Sequence, residues 1–313
     1  MTAVAEAGRG RSSSGAAARG WRRLRQGRAL PVLVVLGAIM VLWYLAALWL
    51  NAPRTIEQFQ REDRADYSIG ELAAAAWSME RPVLPTPGQI AADIWKTTVD
   101  TRITSKRSLV YHASVTMSST LVGFALGTVL GIAIAIGIVH VPTLDRSIMP
   151  WVIASQTIPI LAIAPMIVVV LGNLGFTGIL PKAVISAYLS FFPVTIGMVK
   201  GLRSPDPLQL DLMRTYSASR TQIFSKLRWP ASLGFLFPSL KIGIALALVG
   251  AIVGELPTGA QAGIGARLLT GSYYGQMVPM WSALVVSGLL AMICIFAVSA
   301  VERAVALARG GRA

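Results

Sequence analysis

The chain has 313 residues, of which 54% are hydrophobic and 13% charged, with 28 Lys and Arg against 14 Asp and Glu for a formal net charge of +14. Soluble domains carry roughly 25% charged residues, so an ordinary soluble enzyme is excluded, and so is a disordered chain, which needs low hydrophobicity. The single cysteine, Cys294, excludes a disulfide framework and a cysteine zinc cluster, and its apolar surroundings suit a small buried residue.

In chain order, residues 1–29 carry seven arginines against Glu6 and are rich in Gly, Ala and Ser. They are expected to be a disordered basic tail. Six apolar blocks follow, at 30–50, 114–139, 148–171, 179–199, 235–256 and 280–301. Each is long enough for a helix to cross a hydrocarbon core of about 30 Å at about 1.5 Å per residue. They are continuously apolar rather than alternating, so they read as helices and not as barrel strands. The first is longer than the roughly 7–15 apolar residues of a cleaved leader, and it reads as an uncleaved span. The predicted fold is all-α and polytopic, with six transmembrane helices.

Between the first two spans lies an extracytoplasmic segment, 51–108, with eight basic and eight acidic residues. Glu71 to Met79 and Gln89 to Val99 have helical character there, separated by Pro82, Pro85 and Pro87. The second of these helices is suited to lying in the interface, and a plain solvated connector is the alternative. Gly123, Gly127 and Gly131 in the second span, with Ala135 after them, repeat every four residues. That row forms one small-residue face, for close helix packing or as a thin wall beside a pathway.

In the third span Pro159 and Pro165 free backbone carbonyls that need partners. Ser155 and Gln156 stand just before them. Gln156 either bonds across helices or lines a wet pathway. Glu255, near the outer end of the fifth span, is an ionisable group near membrane depth. It is either functional or hydrated among headgroups. Ser155, Gln156, Pro159 and Glu255 are therefore the candidate pathway residues.

Orientation follows from Lys and Arg. If six spans alternate, the basic first 29 residues, the basic loop 200–230 and the tail 302–313 share one side, with both termini cytoplasmic. The high basicity then belongs beside anionic lipid and not to nucleic acid. There is no phosphate-binding Gly-x-x-x-x-Gly-Lys-Ser/Thr loop, no Gly-x-Ser-x-Gly and no His-Glu-x-x-His. No catalytic residue, metal site or bound cofactor is expected. A secondary carrier or channel driven by an ion gradient would show paired ionisable residues near the midplane or inverted halves. Neither is visible. A membrane-embedded enzyme would need clustered His or carboxylates.

The loop between the fourth and fifth spans carries Leu208, Leu212, Met213 and Tyr216 at helical spacing. The turn Ser217-Ala218-Ser219 follows, then Ile223, Phe224 and Leu227, and the pattern ends at Pro230. Two short amphipathic helices about a tight turn suit protein docking. Here the sequence resembles the permease subunit of a bacterial ABC importer. That family's loop reads Glu-Ala-Ala, three residues, Gly, nine residues, Ile-x-Leu-Pro. Asp211, Leu212 and Met213 stand at Glu-Ala-Ala, Ser217 at Gly, Leu227 at Ile, Trp229 at Leu and Pro230 at Pro. Ser217 departs from the pattern. If the turn needs a positive φ there, it costs about 1 kcal/mol or more.

The resemblance covers about residues 82–305 and is similar to nitrate, sulfonate and taurine permeases. Gly201-Leu202-Arg203 and the stretch 212–220 are similar to permeases for pyrimidine-type thiamine precursors or riboflavin. Residues 51–81 read as an insertion.

The resemblance implies a type I importer-like fold with a five-helix permease core at 109–305, a coupling loop at 201–234 and a cytoplasmic tail at 306–313. It implies a multi-pass protein of the bacterial inner membrane, paired with a second copy and docked by a cytoplasmic ATPase. That partner binds and hydrolyses the ATP, and an extracytoplasmic binding protein delivers a small solute. Asp211, Leu212, Met213, Tyr216, Ser217, Ala218, Leu227 and Pro230 are the expected coupling residues.

Overall fold

The computed structural model describes residues 29–64, 66–257 and 262–310, and every regular element among them is helical. The basic tail expected at 1–29 lies outside them except for its last residue, and the last three residues of the expected C-terminal tail also lie outside. The helices are α1 (Ala29–Arg61), α2 (Ile69–Ser78), α3 (Pro87–Trp95), α4 (Leu109–His140), α5 (Pro142–Ala154) and α6 (Ile160–Asn173). After them come α7 (Ile179–Leu202), α8 (Pro207–Thr215), α9 (Arg220–Ile223), α10 (Trp229–Glu255), α11 (Ile264–Tyr273) and α12 (Met277–Ala308). The chain divides into two compact units, one ending at Gln89 and one beginning at Ile90.

In the first unit α1 runs 33 residues, about 50 Å at the usual rise. That is well past the apolar block ending at Leu50. Asn51 explains how the chain then turns back. Fully buried, it donates from Nδ2 to the Ala76 and Leu84 carbonyls and accepts at Oδ1 from the Val83 and Leu84 amides. All its polar capacity is used, so one side chain ties α1 to the end of α2 and to the following strap. Trp43 and Trp77 add indole bonds to the Pro85 and Tyr44 carbonyls. Ser68 and Glu71 close a reciprocal cap on α2.

In the second unit three helices are long and apolar enough to cross a membrane as single rods: α4, α7 and α12. A fourth is the continuous helix from Arg220 to Glu255, 36 residues, which joins α9 to α10 through one wide turn at Phe224–Arg228. With α1 these make five. The third apolar block, expected as one helix over 148–171, is instead two arms. Pro142–Thr157 and Ile160–Asn173 meet at 101°. The cause is local. Pro159 lacks an amide hydrogen and forces the residue before it out of helical geometry; Ile158 is extended, with φ −82° and ψ 121°. Counting the bent pair as one span brings the total to six.

The core forms where α4, α7 and α10 meet, and small residues set its spacing. Added Cβ atoms at Gly123, Gly127 and Gly131 of α4 would fall 2.3, 2.1 and 2.8 Å from Ser186, Ser190 and Phe191 of α7. One at Gly250 of α10 would fall 2.7 Å from the Ser186 Cα, and one at Gly201 of α7 2.8 Å from the Ser232 Cα. Close backbone approach is how membrane helices gain dispersion contact when lipid offers no hydrophobic drive. Towards the Leu202 end of α7 an apolar cluster of Ala135, Ile138, Val194, Met198, Leu202 and Leu236 takes over, with Phe224 and Trp229 packed on it.

Candidate functional site

Three places in the second unit carry chemistry. The first is the loop after α7. Asp206 caps α8 by accepting from the Leu208 amide, 2.8 Å. The helix ends at Tyr216 in a left-handed turn. Ser217 has φ 53°, its amide bonds the Arg214 carbonyl at 2.8 Å, and the Ala218 amide bonds the Met213 carbonyl at 3.0 Å. This is a Schellman closure with Ser at the position glycine favours. Ser219 and Gln222 then form a reciprocal cap that starts α9. The result is a tight two-helix elbow whose apolar stripe faces outward: Leu208 is 77% exposed, Leu212 56% and Tyr216 78%. Met213 and Ala218 are half-buried beneath it, as are Leu227 and Pro230 in the helix that leaves the elbow. Asp211 is exposed and pairs with Arg214, one turn away, at 3.0 Å. Arg203 meets Asp145 at 2.8 Å, and Arg228 donates to the Leu202 carbonyl, so the base of the elbow is fastened to α5 and α7.

The second place is the break between α5 and α6. Gln156 and Pro159 are exposed, and Ser155 is half-buried with its carbonyl accepting from the Tyr188 hydroxyl. The break thus presents a polar side chain and freed backbone groups on an otherwise apolar hairpin.

The third place is at the end of α10. Glu255 has no solvent exposure. It stands apart from Ser155, Gln156 and Pro159 in its partners. Thr116 of α4 donates to the carboxylate at 3.0 Å, Lys182 of α7 stands 3.7 Å away, and the Gly265 amide donates to Oε2 at 2.8 Å. Around it, the Ile264 amide donates to Thr116 Oγ1 at 2.8 Å and the Gly263 amide to His112 Nδ1 at 3.0 Å. The other ring nitrogen of His112 lies 2.9 Å from the Lys106 carbonyl, so the imidazole with Nε2 protonated satisfies both contacts. Three successive amides of the first turn of α11, which a helix start leaves without partners, are therefore taken up by three side chains from two other helices. A carboxylate there also faces the positive end of the helix dipole.

His112, Thr116 and Lys182 were not singled out as site residues in the sequence. The signal for two of them was present. His112, Thr116, Ser119 and Thr120 continue toward the N-terminus the same α4 face that Gly123, Gly127 and Gly131 occupy. No group of three or more metal-ligating side chains occurs among the described residues.

Comparison with known proteins adds the family. The binding-protein-dependent transport system inner membrane component family matches residues 127–306, from within α4 to the end of α12. The chain is 33% identical over 183 residues to the formylaminopyrimidine transport permease protein ThiX of Halalkalibacterium halodurans, covering 58% of this chain and 68% of that protein. It is 28% identical over 218 residues to a probable ABC transporter permease protein of Haemophilus influenzae, covering 70% and 84%. With the riboflavin transport system permease protein RibX of Chloroflexus aurantiacus it shares 30% over 186 residues, covering 59% and 65%.

Proposed function

The chain belongs to the family of binding-protein-dependent transport system inner membrane components, and we propose that it is the membrane-spanning subunit of an ATP-driven importer. In this reading a cytoplasmic ATPase docks on the elbow from α8 to α9, and a binding protein on the other face delivers the solute. Both termini face the cytoplasm, and a second copy of the chain completes the pathway. The observation that carries the reading is the elbow itself. Leu208, Leu212 and Tyr216 form an outward apolar stripe on a loop whose backbone is fixed by two caps and a Schellman turn. A rigid amphipathic elbow whose apolar stripe is exposed among the described residues suits a groove in another protein.

The solute we propose is a small heteroaromatic nutrient of the pyrimidine or vitamin-precursor kind. Two of the similar proteins are named for such cargo. Gln156 at the α5–α6 break is the polar side chain we assign to the pathway, with Ser155 and Pro159 shaping the break. Glu255 is assigned elsewhere, because its partners enclose it.

The test is extraction of the tagged chain from its own membrane in mild detergent, followed by uptake in vesicles with the proton gradient collapsed. An ATPase bearing a phosphate-binding loop is expected at about one copy per chain, with uptake continuing on ATP. Recovery of the chain without any ATPase, together with uptake that stops when the gradient collapses, would replace this reading by a gradient-driven carrier.

A further inference from the structure

We propose that Glu255 is a positioning residue for transport, the outer end of a lever that carries movement of the docking elbow to the first turn of α11. This rests on the importer reading above. The lever is the uninterrupted helix from Arg220, beside the elbow's turn, to Glu255, 36 residues in all and about 54 Å long.

Two features make its outer end unable to move alone. The first is the set of hydrogen bonds: Gly265 bonds Glu255, Ile264 bonds Thr116, Thr116 bonds Glu255, and Lys182 lies against both Glu255 and the Ala262 carbonyl. The second is clearance. A Cβ on Gly263 would lie 2.2 Å from the Glu255 Cδ, and one on Gly265 2.3 Å from the Ile252 carbonyl oxygen. Gly263 has φ 124°, a conformation that glycine alone tolerates well. The backbone of 263–265 therefore rides directly on the carboxylate, and a shift of Glu255 must be passed on to it.

Along its length the lever faces α7 through small residues. Gly243, Gly250 and Gly254 look onto Ser190, Ser186 and Lys182, and Ser239 and Ser232 look onto Gly197 and Gly201. Leu236, Phe237, Ile244 and Leu248 are buried beside these small residues, so the seam is close-packed and the lever has little freedom to bend along it. Its polar fastenings to α7 sit toward its ends, Arg228 to the Leu202 carbonyl at one and Glu255 with Lys182 at the other, and midway Lys241 is paired with Glu302 of α12 at 2.5 Å. A helix held in this way carries a displacement at one end to the other as a rigid element.

The experiment uses the purified assembly in lipid vesicles, with Cys294→Ser removing the native thiol and Ala262→Cys as reporter. The reporter is labelled by a membrane-impermeant maleimide, with and without ATP and vanadate. With Glu255 intact, labelling is expected to be slow without nucleotide and to change about tenfold with it, the size of an ordinary coupling between sites. With Glu255→Gln, labelling is expected to be fast in both conditions. Thr116→Val, which removes the hydroxyl at nearly constant volume, is expected to behave the same way and stands in if Glu255→Gln does not survive extraction.

A purely structural role would speed labelling in the variants yet keep the nucleotide response, and that result overturns the proposal. So does labelling in the variants that stays as slow as in the parent, or a parent that ignores nucleotide although its ATPase is present. If no ATPase accompanies the chain, the importer reading fails. The nucleotide-free comparison of parent and variants then decides whether the carboxylate holds the 262–265 segment at all, and slow labelling throughout overturns that as well.

Discussion

The two ends of the Arg220–Glu255 helix are built on opposite principles. At the Glu255 end the carboxylate and its hydrogen-bond partners are enclosed, and Arg267 Nε of α11 is buried there with no acceptor among the described residues. Glu255 and Thr116 have no solvent exposure, and three backbone amides find side-chain acceptors. Beside the Arg220 end, Leu208, Leu212 and Tyr216 face outward and the backbone is strained, with Ser217 at φ 53°. Burial at one end means that removing any member leaves a desolvated partner behind, and such losses are expensive. Exposure at the other end means that removing a side chain alters what the protein can bind, while its own folding hardly notices. One end is fastened within the chain, and the other leaves its apolar stripe open.

The seam between these ends gives the largest expected effect. Gly201→Leu drives a side chain into the Ser232 backbone, 2.8 Å from its Cα and 2.9 Å from its carbonyl oxygen. Extra methylenes forced into a packed seam cost about 1–3 kcal/mol and occasionally more, and here four carbons meet backbone that cannot turn aside, so the cost is expected to exceed that range and every change below. Loss of folded chain on size-exclusion chromatography is expected, whereas Gly234→Ala, where an added Cβ meets nothing within 4 Å, elutes like the parent. Equal recovery of both would show that the helices are not in close contact there.

The contrast between the ends is tested next by thermal unfolding in detergent. Glu255→Ala leaves Lys182 and the Gly265 amide without their partner and is expected to cost about 3–5 kcal/mol, as for other broken buried ion pairs. Tyr216→Asp is expected to stay within about 0.5 kcal/mol of the parent, as exposed substitutions do, while the ATPase no longer co-purifies. A Tyr216→Asp chain that unfolds early, or that keeps its ATPase, breaks the comparison.

Thr116→Val should cost about 1–3 kcal/mol for the stranded Ile264 amide, and Thr116→Ser should recover most of it. The smallest effect is a gain. Ser217→Gly relieves the left-handed backbone and is expected to add about 1 kcal/mol with the ATPase retained. A loss there would mean that the serine side chain contributes something the turn geometry does not reveal.

Much of this was legible in residue spacing. The apolar blocks gave the spans, since a run of such length admits few other structures. The Gly123–Gly127–Gly131 row falls on the face of α4 that meets α7, because a four-residue repeat of small residues has one geometric meaning on a helix. The strain at Ser217 was visible as a conflict between residue type and the turn that the spacing implied.

What escaped is equally physical. The 101° corner at Pro159 lies inside one apolar block, because hydropathy sums over a corner without sensing its angle. The extension of α1 to Arg61 depends on Asn51 reaching residues 76, 83 and 84, a contact no local window contains. The enclosure of Glu255 rests on Thr116, 139 positions earlier. A carboxylate with such a partner and one hydrated among headgroups have the same neighbours in sequence.

The corner in the third span has a consequence for how the protein must be made. Its arms hold 13 and 14 residues in α5 and α6, about 20 Å each, so neither can cross a hydrocarbon core of about 30 Å unaided. At the corner Gln156, Thr157, Ile158 and Pro159 are exposed among the described residues, and non-helical backbone at membrane depth is tolerated only against protein or water. The third span therefore cannot enter the bilayer as an ordinary rod surrounded by lipid: its insertion is expected to be completed only where a protein surface or a wet cavity receives the corner.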